Sequence, residues 1–131
     1  DNSIVQTDQF LDSVINWLSA QSDKAQSAMI YVADHGESLG ENNIYLHGLP
    51  YSIAPDVQKH VPWITWLSPA MQARTHVTTG CLQQDVAQRR VTHDNYFHSV
   101  LGLMDVQTGA YSPALDMFAG CRQQPNGPLA G

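Results

Sequence analysis

Residues 31–48 read YVADHGESLGENNIYLHG. Just before and into them, residues 28–33 form a short apolar run with β-branched and aromatic members, the composition of a buried strand in an α/β sheet. The run breaks off at Asp34, His35 and Gly36. Ligands of open α/β sheets sit outside the carboxyl ends of the strands, so an acid and an imidazole arrive where chemistry is normally done. Side chains alternate between faces along a strand. Asp34 and His35 therefore share one target only if the chain turns sharply beside them, and Gly36 is expected to allow this by taking a positive φ. A carboxylate oxygen and an imidazole nitrogen together suit zinc. The same Asp-His-Gly also describes a plain turn, with Asp capping backbone amides and His solvated. The loop that follows adds Glu37, Gly40, Asn42 and His47-Gly48, with few helix or strand formers between them. Glu37 lies two residues past His35, close enough to face the same cavity and hold a second metal or a substrate amine.

Working outward, Ile4, Phe10, Leu11, Val14, Ile15 and Leu18 recur near the helical period and predict an opening helix that packs through them. Helix followed by strand, with the acid at the strand's end, is doubly wound grammar. After the loop, Pro55-Asp56 suggests a turn or short helix start. Residues 60–67 give a second β run ended by Ser68-Pro69, with Trp63 and Trp66 expected to pack inward. Residues 71–91 are polar and poorly periodic, with Thr78-Thr79-Gly80 marking a loop. Thr92 is expected to cap a helix whose Phe97, Val100, Leu101 and Met104 face the core. His60, His76, His93 and His98 read as surface or structural histidines. The tail from Gln123 reads as a loose terminus.

Composition bounds the class. The chain has 131 residues, one domain's length or a piece of a larger one, and its 43% hydrophobic content allows a real core. A formal charge of −6 argues against a nucleic-acid surface, which wants a basic patch. No apolar run approaches the length of a membrane span. Cys81 and Cys121 sit in no Cys-x-x-Cys metal pattern. They make a staple in an oxidising compartment and two buried thiols in a reducing one.

The segment ADHGESLGENNIYLHG resembles the metal-site signature of the lipid A phosphoethanolamine transferases, including the mobile colistin-resistance enzymes, within the alkaline phosphatase and sulfatase superfamily. The likeness continues through FLDSVINWL before the strand, LPYSIAPDVQKHVPWITWLSP after the loop and THDNYFHSVLGLMDV near the end. It implies an α/β fold, part of an αβα sandwich, with residues 1–131 as the C-terminal portion of a periplasmic catalytic domain. The upstream half and a membrane domain would lie outside this chain. It makes Asp34 and His35 direct ligands of Zn2+, and His47 a residue of the substrate pocket or a second metal position. The implied reaction moves phosphoethanolamine from phosphatidylethanolamine to lipid A at the periplasmic face of the inner membrane, giving polymyxin resistance. The implied compartment is one in which a Cys81–Cys121 disulfide forms. A threonine nucleophile and a further carboxylate ligand are expected upstream, since none of the chain's threonines sits in the family's nucleophile context; the chain alone is expected to be inactive. A sulfatase or phosphodiesterase hydrolase of the same superfamily, or a non-catalytic zinc-binding fragment, are the alternatives.

Overall fold

A computed structural model describes residues 2–39, 43, 45–46 and 50–122. His47, Glu41 and the tail from Gln123 lie outside the described residues. The chain divides into two compact units, residues 1–20 with 28–67, and residues 21–27 with 68–131.

The first unit begins with α1, Asn2–Ser19. Of its apolar positions only Leu11 is buried, with Val14, Ile15 and Leu18 half-covered beside it. Ile4 and Phe10, expected on the packed face, are 71% and 65% exposed. Phe10 stands off the 11–14–15–18 stripe, whereas Ile4 shares the face of Leu11 but sits near the amino-terminal end, where it lines an open groove. The amino-terminal half of α1 faces Tyr31, Pro62 and Ile64 across this apolar groove of about 310 Å³.

Strand β1, Ala28–Val32, stands where its composition puts it, but every residue is half-buried instead of fully covered. Its partner is β4, Trp63–Leu67, in antiparallel register from Ala28 opposite Leu67 to Val32 opposite Trp63. Among the described residues β4 is the strand paired with β1. Trp63 and Trp66 are half-buried, and the Trp63 indole N–H donates to Thr65 Oγ1 at 3.0 Å. Between the two strands lie the short pair β2, Ser38–Leu39, with β3, Tyr45–Leu46, and the single-turn helix α2, Asp56–Lys59.

The second unit holds most of the fully buried apolar side chains, among them Met71, Val77, Leu103, Phe118 and Cys121. Residues 71–91, expected as loop, contain two helices, α3, Pro69–Thr75, and α4, Thr79–Val86. Their signals are caps. Ser68 Oγ accepts from the Met71 amide at 3.2 Å with Pro69 in the first turn, and Thr78 Oγ1 accepts from the Cys81 amide at 3.3 Å. A Ser-Pro that ends a strand also starts a helix, because proline's missing N–H is one the first turn leaves unpaired anyway.

Helix α5, Asp94–Leu103, also departs from expectation. Thr92 does not cap it; the Asn95 side chain turns back to accept the Thr92 amide at 2.7 Å. The buried face is Asn95, Ser99, Gly102 and Leu103, while Phe97 and Met104 are 52% and 63% exposed. Small and polar residues are inside because the returning segment 111–118 needs hydrogen-bond partners. Asn95 Nδ2 donates to the Leu115 carbonyl at 2.8 Å, and Ser99 Oγ accepts the Met117 amide at 2.9 Å. The fully buried Asp116 accepts from the Phe118 amide and from Tyr111 Oη, both at 2.7 Å, and pairs with Arg122. Gly102 makes room for this: a Cβ there would overlap the Asp116 carboxylate and the Arg122 guanidinium. Arg122 lies in α6, Ala119–Arg122, which a Cys81–Cys121 disulfide ties to α4 across a separation of 40 residues. The bond thus joins two helices.

Three outcomes test this account in the intact protein. Gly102→Ala is expected to destabilise by more than about 2 kcal/mol through overpacking against a buried ion pair, read from urea denaturation. Non-reduced peptide mapping is expected to yield a linked Cys81–Cys121 pair, and its reduction to cost about 4 kcal/mol on the loop-entropy argument. Burial, then the hydrogen bond and charge of Asp116, raise the Tyr111 phenol above its ordinary value, with Arg122 pulling the other way. A raised folded pKa means stability is full below the phenol's unfolded value and falls as pH climbs through the folded one. Denaturation midpoints followed upward from pH 9 should therefore drop more steeply in the unaltered protein than in Tyr111→Phe.

Candidate metal site

Strand β1 stops at Val32 because the chain leaves the ladder. The Ala33 amide still reaches the Pro62 carbonyl, at 3.5 Å, and at Asp34 the backbone bends. That bend removes the alternation that would have put Asp34 and His35 on opposite faces. Asp34 Oδ1 accepts the His35 amide at 3.0 Å. This is the capping a plain turn would show, and it occupies one carboxylate oxygen only. The other, Oδ2, lies 3.7 Å from His35 Nε2.

The His35 ring is oriented by its other nitrogen. Nδ1 is 3.0 Å from the Gly36 carbonyl oxygen. A carbonyl can only accept, so Nδ1 carries the proton, and in the neutral ring the lone pair is on Nε2. Metal-ligating histidines are held in this way, with the second nitrogen donating to a carbonyl or carboxylate. Two ligands each about 2.0–2.1 Å from a tetrahedral zinc are roughly 3.3 Å apart, close to the separation of Oδ2 and Nε2. The donor types, the tautomer and the spacing fit one zinc ion. The Asp34 side chain is 90% exposed and that of His35 41%.

Gly36 is required, but not by its dihedral angle: its φ is outside the positive region. A Cβ there would land on the Val57 carbonyl, and the Gly36 amide donates to the Gln58 carbonyl at 3.1 Å. The glycine lets the loop lie directly on the backbone of α2. Two residues on, the buried Ser38 hydroxyl is bonded by Gln58 Nε2 at 2.8 Å, and Gln58 is itself buried. Neither Ser38 nor Gln58 stands out in the sequence, where PDVQK reads as an ordinary solvated turn of helix.

Glu37, between Gly36 and β2, is exposed, and His47 lies outside the described residues. Among the described residues no group of three or more His, Cys, Asp or Glu side chains gathers as a metal site. Asp34 and His35 are two candidate donors among the described residues. His60, His76 and His93 are exposed. His98 is structural: its Nδ1 accepts the Ser112 amide at 3.0 Å, the opposite tautomer to His35.

Comparison with known proteins identifies the family. The chain is 48% identical over 123 residues to the phosphoethanolamine transferase EptA of Salmonella typhimurium, covering 94% of this chain and 22% of that protein. It is 40% identical over 106 residues to the phosphatidylethanolamine transferase Mcr-1 of Escherichia coli, covering 81% and 18%. The chain spans about a fifth of the length of these curated relatives. It superimposes on the crystal structure of the soluble domain of lipooligosaccharide phosphoethanolamine transferase A from Neisseria meningitidis with a TM-score of 0.87 and 44% identity, covering 93% of this chain and 36% of that one. Its fold is accordingly a part of that sulfatase-like α/β fold. The Sulfatase family profile matches residues 1–106, from α1 through the Asp34–His35 turn to just past the end of α5, and the chain belongs to that family.

Proposed function

We propose that the protein carrying this chain is a zinc-dependent transferase that moves phosphoethanolamine from phosphatidylethanolamine to lipid A at the periplasmic face of the inner membrane, and so confers polymyxin resistance. The observation that carries the zinc reading is the 3.7 Å approach of Asp34 Oδ2 to His35 Nε2, with Nδ1 committed to the Gly36 carbonyl. The activity rests on the relatives' names, phosphoethanolamine and phosphatidylethanolamine transferases. The Cys81–Cys121 disulfide agrees with an oxidising compartment.

Zinc, when bound, supplies Lewis acidity that offsets charge on a phosphoryl group and activates a hydroxyl. His35 presents Nε2 as an acceptor because its Nδ1–H is spent on the Gly36 carbonyl. Asp34 offers Oδ2 while Oδ1 holds the His35 amide, so the same carboxylate binds and keeps the turn closed. Glu37, exposed at the next turn of chain, is the carboxylate for the substrate's ammonium group or a second metal, with His47 assigned to the same pocket. No threonine of this chain is assigned as nucleophile.

A second reading is hydrolysis, favoured by the Sulfatase family match. The same donors serve a hydrolase in which water is the acceptor. Incubation of the intact protein with labelled phosphatidylethanolamine and lipid A separates the two. Label on lipid A supports transfer, and free phosphoethanolamine with unlabelled lipid A supports hydrolysis. Asp34→Ala and His35→Ala are each expected to lower zinc affinity at least about 100-fold, at the upper end of what losing a hydrogen bond that supports a ligand costs, and to abolish transfer. Undiminished zinc content by elemental analysis in both variants would refute the assignment.

A further inference from the structure

We infer that Gln58 is a positioning residue for the Asp34–His35 pair, acting as a two-point clamp on residues 36–38. The inference rests on the zinc reading above. Asp34 is 90% exposed, so packing around its carboxylate does little to orient it. The aim of His35 Nε2 depends on the bond from Nδ1 to the Gly36 carbonyl, and hence on where the Gly36 backbone is held.

One residue holds it from two sides. The Gln58 carbonyl accepts the Gly36 amide at 3.1 Å, and the Gln58 side-chain amide bonds Ser38 Oγ at 2.8 Å. Ser38 and Gln58 are 2% and 8% exposed, so water does not compete well for either group. The Val57 carbonyl fills the space where a Cβ on residue 36 would stand, which closes off the alternative of the loop sliding along α2. Breaking the side-chain bond leaves a buried hydroxyl unpaired. The segment would then relax away from α2 and carry the His35 acceptor with it. Hydrogen-bond partners that orient a metal ligand typically matter by 10–100-fold in affinity.

The test uses zinc alone, titrated into the intact protein against a chromophoric chelator, and amide hydrogen exchange of the zinc-free protein. Gln58→Met keeps the side chain's size and the backbone carbonyl but loses the amide. It is expected to weaken zinc binding about 10-fold or more and to speed exchange at residues 36–39 while leaving β1 and β4 unchanged. Ser38→Ala removes the other end of the same bond and should do the same, and the double variant should be no worse than the poorer single one. Wild-type zinc affinity in Gln58→Met and Ser38→Ala, beside a loss in Asp34→Ala, would overturn the clamp and spare the metal site. Retained zinc in Asp34→Ala and His35→Ala would overturn both. Faster exchange throughout the first unit would mean that Gln58 merely supports the fold, and also overturns the proposal. Should Gln58→Met fail to fold, Ser38→Ala decides alone.

Discussion

The antiparallel ladder between β1 and β4 sets the terms for the whole first unit. Five residue pairs, from Ala28 opposite Leu67 to Val32 opposite Trp63, fix the register. In such a pair a slip of one residue turns every side chain to the other face, so the ladder decides which residue is the first to leave it. That residue is Ala33, held by a last long contact to the Pro62 carbonyl. Proline has no N–H to give, so at Pro62 the β4 side of the ladder loses its donor while its carbonyl can still accept. The chain departs from β1 at that point, and Asp34 and His35 come off the strand end together instead of on opposite faces.

From there the constraint passes to α2. The turn is open to solvent, and an exposed carboxylate–imidazole pair gains little from Coulomb attraction alone. Its order comes from backbone. Gly36 lies against the Val57 carbonyl and gives its N–H to Gln58; its own carbonyl is thereby fixed and selects the His35 tautomer. Each of these steps needs the one before it. A side chain on residue 36 would lift the loop, and the ring would lose its partner.

What the sequence made legible follows from the range of the interactions. β1, β4 and the start of α2 were readable because apolar runs, β-branched residues and Pro-Asp act locally. The Asp34–His35 turn was readable because the two residues are adjacent in the chain and sit at the strand's end. The interior of the second unit was not. In α5 the conspicuous apolar residues Phe97 and Met104 face out, and Asn95, Ser99 and Gly102 face in. Their reason lies about 15–20 residues further on, in the amides and carbonyls of segment 111–118 and in a fully buried Asp116. Periodicity reports apolar faces; it does not report which polar face a returning loop will need. Helices α3 and α4 were missed for a different reason. Their apolar stripes are weak, and the information lay in single capping residues, Ser68 and Thr78.

The two glycines show how one residue type carries opposite constraints in the two units. At Gly36 the neighbour is backbone, the Val57 carbonyl, which cannot swing aside. At Gly102 the neighbours are the Asp116 carboxylate and the Arg122 guanidinium, side chains in a bonded pair with Tyr111. The second pair could give way only by breaking a buried ion pair, which is costly when one partner is left behind. In both places close approach, and not backbone dihedral freedom, demands glycine. The first protects the orientation of the His35 ring; the second protects the join between α5 and α6, and α6 is also fastened to α4 by the disulfide at Cys121. The Asp34–His35 turn thus takes its order from the backbone of the helix against which Gly36 lies.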